Sequence, residues 1–226
     1  MNLLDKIMIL APKLLKGVLV TIEITSVAVL AGVIIGLIMA LCKMSKKKIL
    51  KIPAIMYIEA IRGTPILVQI LLFYFGLPQI LSSIFNMKVT FTAIVAGMIV
   101  CSINSGAYVA EIFRAGIQSI DKGQMEAARS LGLSHTQAMR YIILPQAFKR
   151  VLPPLGNEFI VLLKETSILT VIGVQELTGR GRLHVSATFD SFFTYTGVAI
   201  TYLILTLSIS RLVTMMERRL GTSDRS

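Results

Sequence analysis

The sequence predicts an all-α, polytopic membrane protein: about five transmembrane helices and one cytoplasmic helix–turn–helix loop, in a single domain over residues 1–226. Three observations predict it. Long apolar runs recur along the chain, which is 54% hydrophobic with a mean hydropathy of +0.76. Only 15% of residues are charged, against about 25% in soluble domains, too few to clothe one or two soluble domains of this length. One polar and regularly patterned stretch, about residues 121–145, interrupts the apolar runs.

The first expected span is Gly17 to Cys42, which carries one charge, Glu23, and is long enough to cross a ~30 Å hydrocarbon core with some tilt. The second runs from about Pro53 to Phe75, broken at Arg62-Gly63-Thr64-Pro65. The third covers roughly Val89 to Phe113. The fourth covers Leu152 to Leu163, with a continuation through Ile168 to Gly173. The fifth is Tyr195 to about Met216, closed by Glu217-Arg218-Arg219. The first residues lack a short apolar stretch with a small-residue cleavage site, so no cleaved signal peptide is expected.

Five crossings put the two ends on opposite sides, and the basic residues decide which is which. Five lysines, Lys43 to Lys51, follow the first span, and six basic residues fall between Arg114 and Arg150. The connection after span two has only Lys88, while three basic residues after span four face Glu165, Glu176 and Asp190. The positive-inside rule therefore puts the N-terminus outside, and residues 114–150 and the C-terminus in the cytoplasm. Lys6, Lys13 and Lys16 count against that orientation. The net charge of +11 comes without a basic tail or aromatic interleaving, which speaks against nucleic acid as a partner and for charge held at one membrane face. Cys42 and Cys101 lie in or beside apolar runs and read as packing residues rather than a disulfide or metal pair.

The central stretch reads as two short helices. Asp121 can cap the first, with Gln124 placed to bond back to its amide. Gly132 fits the left-handed position that ends a helix. Ser134 and Gln137 repeat the capping box, and Pro145 is expected to stop the second helix. The pair forms a protruding knob in which Ala127 and Ala128 keep one face small enough to enter a groove, while Glu126, Arg129 and Arg140 can meet charges on a partner. A solvated hairpin that only links two spans is the other reading of the same pattern.

Glu126-Ala127-Ala128, three residues, Gly132, nine residues, Ile142, one residue, Leu144-Pro145: this spacing resembles the EAA signature of ABC importer permeases. Tyr57–Pro65, Ile103–Ile117 and Gly156–Ser167 look like the polar amino-acid branch of that family, and the likeness runs from about residue 15 to 220. The resemblance implies a permease subunit of the bacterial inner (plasma) membrane, paired with itself or a close paralogue. It implies two copies of a cytoplasmic ATP-binding subunit, an extracytoplasmic amino-acid-binding protein and an amino-acid substrate as partners. Glu126, Ala127, Ala128, Gly132, Ile142, Leu144 and Pro145 would then dock in the ATPase and carry its closure to the spans. Lipid surrounds the bundle. No cofactor is expected in this chain, since ATP-Mg would be bound by the partner. In agreement, no Gly-x4-Gly-Lys-Ser/Thr phosphate loop and no His/Cys cluster of zinc spacing occurs in the sequence, so no catalytic or metal site is assigned.

Charges inside a bilayer cost ~2.5–3.5 kcal/mol on insertion scales, so intramembrane polar residues tend to face a cavity or a partner. Asn104 and Ser105 sit in the middle of span three, with Glu111 about two turns on. Glu158 and Glu165 are seven residues apart, so one helix face can present both, about 10 Å apart along the axis. Asn104, Glu158 and Glu165 are the candidate substrate contacts, with an acidic face for an ammonium group; interhelical hydrogen bonding is the alternative. The Arg62–Pro65 break is read as structural, and Gly179-Arg180-Gly181-Arg182 as a flexible outer loop that can meet an acidic patch on the binding protein. Asp190 stands where relatives often carry a basic residue, which leans away from acidic substrates and leaves cystine, glutamine and basic amino acids open. Two other classes compete: a stand-alone secondary transporter, which would need broken helices in two matching halves, and a membrane scaffold without transport.

Overall fold

The computed structural model describes residues 2–219, with Arg219 as backbone only. The basic residue Arg225, which adds to the C-terminal charge, lies outside the described residues. Ten α-helices make up the described fold, joined by short turns, two π-helical turns and one 3₁₀ segment. They are α1 Leu3–Met44, α2 Lys48–Arg62, α3 Ile66–Leu71, α4 Leu77–Phe85, α5 Ala93–Gln118, α6 Lys122–Ser130, α7 His135–Ala138, α8 Leu144–Glu165, α9 Leu177–Thr188 and α10 Ser191–Arg219.

Four stretches are long and apolar enough to cross a membrane: α1, the α3–α4 run Ile66–Phe85, α5, and α10 through Arg218. The expected fourth span is α8, whose 22 residues suffice in length but carry Lys149, Arg150, Glu158, Lys164 and Glu165. The second span falls elsewhere than expected. Gly63-Thr64-Pro65 ends α2 and begins α3, so the crossing is Ile66–Phe85 rather than Pro53–Phe75. The reason is length: α2 has 15 residues, roughly 23 Å at ~1.5 Å per residue, too short for a ~30 Å core. It packs instead as a separate helix on α1 and α5, burying Ala54 and Ile58.

Helix α1 is longer than the expected Gly17–Cys42. Its 42 residues span roughly 63 Å at ~1.5 Å per residue, and the helix continues through Pro12. One stripe of it is buried, from Leu10 and Leu14 through Thr21, Ile24 and Ala28 to Gly32, Gly36 and Ala40. The 3.6-residue period puts these on one face, and that face packs on α5 and α9. The opposite face leaves Leu19, Leu30, Ile34 and Leu41 exposed, as do Ile200, Leu203, Ile204 and Leu207 along α10.

The α1–α5 seam is tight. A Cβ on Gly36 would sit 2.6 Å from Val109 Cγ1 and 2.9 Å from the Ala110 amide nitrogen, and one on Gly32 would sit 2.8 Å from Ser105 Oγ. Small residues let two backbones approach closely, the means by which helices associate in lipid. Tyr57 of α2 adds a hydrogen bond, its hydroxyl donating to the Ile103 carbonyl at 2.6 Å.

The two π turns share a cause. Leu72–Gly76 lies just before Pro78, and Met139–Ile143 just before Pro145. A proline inside a helix lacks the amide for the carbonyl four residues back and its ring crowds that carbonyl. That carbonyl belongs to Tyr74 in one case and Tyr141 in the other, each inside the π turn, where the wider helix makes room. Pro145 therefore does not stop the second knob helix, contrary to expectation. The chain runs helically from His135 to Glu165, and Gln146 donates from its side chain to the Ile142 carbonyl at 2.9 Å.

The stretch after α8 is ordered structure. A 3₁₀ segment, Thr166–Ile172, ends at Gly173 with φ +88°, and Glu176 caps α9 by accepting from the amides of Gly179 at 2.7 Å and Thr178 at 2.8 Å. Tyr202 and Thr170 donate their hydroxyls to the same carboxylate, at 2.9 and 3.1 Å. Gly179-Arg180-Gly181-Arg182 is accordingly part of a helix, with both glycines buried, and not the flexible loop expected. Lys6 pairs with Asp190 at 2.5 Å and Lys13 with His184 Nδ1 at 3.1 Å, which ties the start of α1 to the α9–α10 corner. The Lys6 ammonium, through that hydrogen bond, holds the Asp190 carboxyl below its ordinary range. A depressed carboxyl stabilises above its unfolded pKa, and the tie is lost as pH falls through the folded value.

Gly36→Val should lower the thermal stability of the purified protein by about 1–3 kcal/mol, the cost of overpacking against backbone. Gly76→Ala, whose Cβ meets nothing nearer than 3.9 Å, serves as the neutral control. Matching melting curves for the two variants would show that the seam can open without penalty.

Candidate functional site

Two features stand out at opposite ends of α8: a helical knob before it and polar cavities along it. The knob is built as the spacing predicts, with differences in detail. Asp121 caps α6 by accepting from the Gly123 amide at 2.6 Å, but Gln124 contributes only its backbone, donating to the Asp121 carbonyl at 3.1 Å. Its side-chain oxygen takes a bond from Gln146 at 3.4 Å instead, which joins α6 to α8. The capping box of Ser134 and Gln137 is complete, with bonds of 3.2 and 2.8 Å.

Gly132 ends α6 at φ +87°. Its amide donates to the Arg129 carbonyl at 3.0 Å, and the Leu133 amide to the Ala128 carbonyl at 3.1 Å, the paired bonds of a Schellman turn. A side chain would meet nothing within 4 Å there, so glycine is required for its backbone angle and not for space.

The signature residues divide between two surfaces. Ala128 is the buried residue of α6 and Ala138 that of α7, where the two helices meet, so Ala128 holds the knob together rather than facing a groove as expected. Ile142 packs with Ile120, Ile143 and Ala147 in a small core beneath. Glu126, Ala127, Gly132, Leu144 and Pro145 are exposed, as is Arg140. Arg129 is also exposed but bends back, donating to the Leu133 carbonyl at 3.0 Å.

The three candidate substrate residues come together around two adjoining cavities. Asn104 and Glu165 line one of about 430 Å³, with the Arg62–Ile66 break and Tyr108 forming its other walls. Glu158 lines the second, of about 440 Å³, with Glu111, Pro154 and Arg150 toward the knob. Arg62 and Tyr108 border both. The faces follow from helical spacing: Asn104, Tyr108 and Glu111 share one side of α5, while Arg150, Pro154 and Glu158 recur every fourth residue on α8. Asn104 is 3% exposed and Glu158 9%.

Sequence reasoning missed three partners at this site. Gln69 is the first: its Nε2 lies 2.7 Å from the Ile61 carbonyl, 3.0 Å from the Thr64 carbonyl and 2.9 Å from Thr64 Oγ1. Its Oε1 accepts from Asn104 Nδ2 at 3.0 Å. One amide thus satisfies carbonyls at the end of α2 and fixes Asn104. A glutamine in the first turn after a Gly-Thr-Pro break was the available signal. The second is Glu111, which accepts from Lys43 Nζ at 2.7 Å and from Arg114 Nε and Nη2 at 3.0 and 2.7 Å, joining α1 to α5. The third is the Arg62–Tyr108 stack, with the guanidinium 5.3 Å from the ring centroid.

Asp190, weighed above for substrate preference, borders neither cavity; it serves the Lys6 tie. Among the described residues no cluster of His, Cys, Asp or Glu could hold a metal, and both cysteines are free.

A bundle of apolar helices that carries charged residues in open cavities beside α5 and α8, together with a pair of short capped helices, is the architecture of a membrane permease subunit. The chain belongs to the family of binding-protein-dependent transport system inner membrane components, whose model matches residues 32–222. It is 40% identical over 209 residues to the glutamine transport system permease protein GlnP of Escherichia coli K12, covering 92% of this chain and 93% of that protein. It is 41% identical over 228 residues to the probable amino-acid permease protein YxeN of Bacillus subtilis 168, covering all of both. A crystal structure described as an amino acid ABC transporter with histidines superposes with a TM-score of 0.89 at 47% identity, covering 97% of this chain and 99% of that one.

Gln69→Leu removes the contacts at the α2–α3 break and leaves Asn104 unpaired. An unsatisfied buried group costs about 1–3 kcal/mol, so the variant should melt earlier and be cut faster by protease near residues 63–65. Wild-type protection there would assign the break to packing alone.

Proposed function

We propose that this chain is the permease subunit of an ATP-driven importer for polar amino acids, working by alternating access. The observation that carries the reading is the convergence of Asn104, Glu158 and Glu165 on two adjoining, half-open cavities in an otherwise apolar bundle. A buried acid, Glu158, and a half-buried one, Glu165, beside an amide suit an ammonium group, and relatives named for glutamine and amino-acid transport favour the same substrate class. Glutamine, cystine and the basic amino acids remain the candidates. Substrate arrives from an extracytoplasmic binding protein, and a second permease, a copy of this chain or a close relative, completes the translocation path.

Energy comes from two copies of a cytoplasmic ATPase, which bind ATP-Mg, while this chain supplies no hydrolytic group. The knob is the docking element. Glu126, Ala127, Gly132, Leu144 and Pro145 supply its outer face, and Ala128 and Ile142 keep it rigid from within. The N-terminus lies outside the cell, and the knob and C-terminus lie in the cytoplasm. Support comes from the basic residues gathered around the knob; of the three outside lysines that count against this orientation, Lys6 is paired with the carboxylate of Asp190.

The test is reconstitution with the cognate ATPase and binding protein, measuring ATP hydrolysis against a panel of amino acids. Stimulation by polar amino acids is expected; flat hydrolysis across the panel would remove the substrate class.

Gly132→Val tests the docking role. Left-handed backbone costs ~1–2 kcal/mol without glycine, and 1.4 kcal/mol is about tenfold in binding. ATPase co-purification should fall roughly tenfold with membrane insertion unchanged. Undiminished co-purification would contradict it.

A further inference from the structure

Arg62 borders both cavities, and its one ion-pair contact is long. It is the last residue of α2, immediately before the break. Its guanidinium lies over the Tyr108 ring, 5.3 Å from the centroid, a contact that uses none of its N–H donors. The nearest acid, Glu111, is 3.9 Å away and already accepts three hydrogen bonds from Lys43 and Arg114. Among the described residues no acceptor makes a hydrogen bond to Arg62, and its side chain is 40% exposed.

The walls around it carry the complementary charge. In the cavity shared with Asn104, Arg62 is the cation and Glu165 the acid, contributed by α2 and α8 from different sides. The adjoining cavity is lined by Arg62 and Glu158 together with a second pair, Arg150 and Glu111, of which Arg150 donates to the Ser119 carbonyl and Glu111 accepts from Lys43 and Arg114. The N–H donors of Arg62 remain open to solvent, and the planar fork they form matches a carboxylate. In the cavity shared with Asn104, one cation and one acid on different walls fit a molecule that carries both a carboxylate and an ammonium.

We propose that Arg62 is the carboxylate receptor of the permease: it binds the substrate's main-chain carboxylate while Glu165 or Glu158 takes the ammonium. Arg62 borders both cavities, so it is placed to take a carboxylate beside either acid. Selection for α-amino acids is then built into the membrane subunit, separate from the binding protein. This rests on the reading of Asn104, Glu158 and Glu165 as substrate contacts.

The experiment measures ligand binding calorimetrically to the permease–ATPase complex in nanodiscs, without binding protein. The probes are L-glutamine and L-arginine, each compared with its methyl ester, which keeps the ammonium and side chain but loses the carboxylate charge. Arg62→Gln should weaken binding of the free amino acid roughly tenfold or more, the effect of one charge-assisted bidentate contact. It should leave ester binding unchanged, and Arg62→Lys should restore part of the loss. Equal weakening of acid and ester, or no weakening of either, overturns the receptor role of Arg62 while leaving the cavity reading in place. No binding of either amino acid by the wild-type complex overturns both. Co-purification of the ATPase with each variant confirms that it has folded.

Discussion

The close seam between α1 and α5 is the contact on which the rest of the structure depends. Gly32 and Gly36 bring α1 against Ser105, Val109 and Ala110, so α5 turns its small face to α1. With that face fixed, Asn104, Tyr108 and Glu111 have one direction left and line the cavities. In lipid, apolar side chains gain nothing by leaving their surroundings, so close backbone packing and interhelical hydrogen bonds must hold such a seam. Helix α5 is therefore both the buried centre of the bundle and the source of its polar interior.

Polar groups inside an apolar bundle must be answered within it, and the structure sorts them by how fully they are answered. Glu176 accepts from two amides and two hydroxyls and is a fixed part of the α9 turn. Glu111 has its ion partners at hydrogen-bond distance and holds α1 to α5. Gln69 and Asn104 close the gap that Gly63-Thr64-Pro65 opens between α2 and α3. Arg62, Glu158 and Glu165 are the charged groups on the cavity walls that lack this degree of satisfaction, and they are the ones the proposed transport role needs.

Much of this was legible in the sequence, because hydropathy and capping chemistry act locally. The apolar runs gave the helical class, Gly132 its left-handed turn, and Ser134 with Gln137 a complete capping box. Asn104, Glu158 and Glu165 could be singled out because polar residues in apolar runs are costly wherever they fall. What failed depended on distant neighbours. Pro145 reads locally as a stop, yet the π turn before it lets the helix continue. Gly179-Arg180-Gly181-Arg182 reads as a loop by composition, but burial against neighbouring elements makes it helical. Asp190 suggested substrate charge, whereas its partner Lys6 lies 184 residues away in the chain. Ala128 looked like part of a docking face, and only the packing of α6 on α7 shows that it points inward.

The π turn at Met139–Ile143 carries a mechanical consequence for the coupling proposed above. Had Pro145 ended the knob, a flexible joint would separate the docking helices from the bundle. The helix instead passes through the proline into α8, and Arg150 adds a bond to the Ser119 carbonyl at 2.5 Å that ties the base of the knob to the end of α5. Helix α8 is also the wall that carries Glu158 and Glu165. On that proposal, a displacement imposed on the knob by a closing ATPase would pass to the cavity acids through continuous helix rather than a loop, with Pro153 and Pro154 the places in α8 where it could bend. Arg62 sits on α2, across the Gly63–Pro65 break, and need not follow. Movement of α8 then changes the separation of Arg62 from the two acids, so the same stroke that reorients the path alters the fit of a molecule held between cation and acid. Transport requires that the site hold its ligand in one state and release it in the other, and that changing separation provides a way to do so.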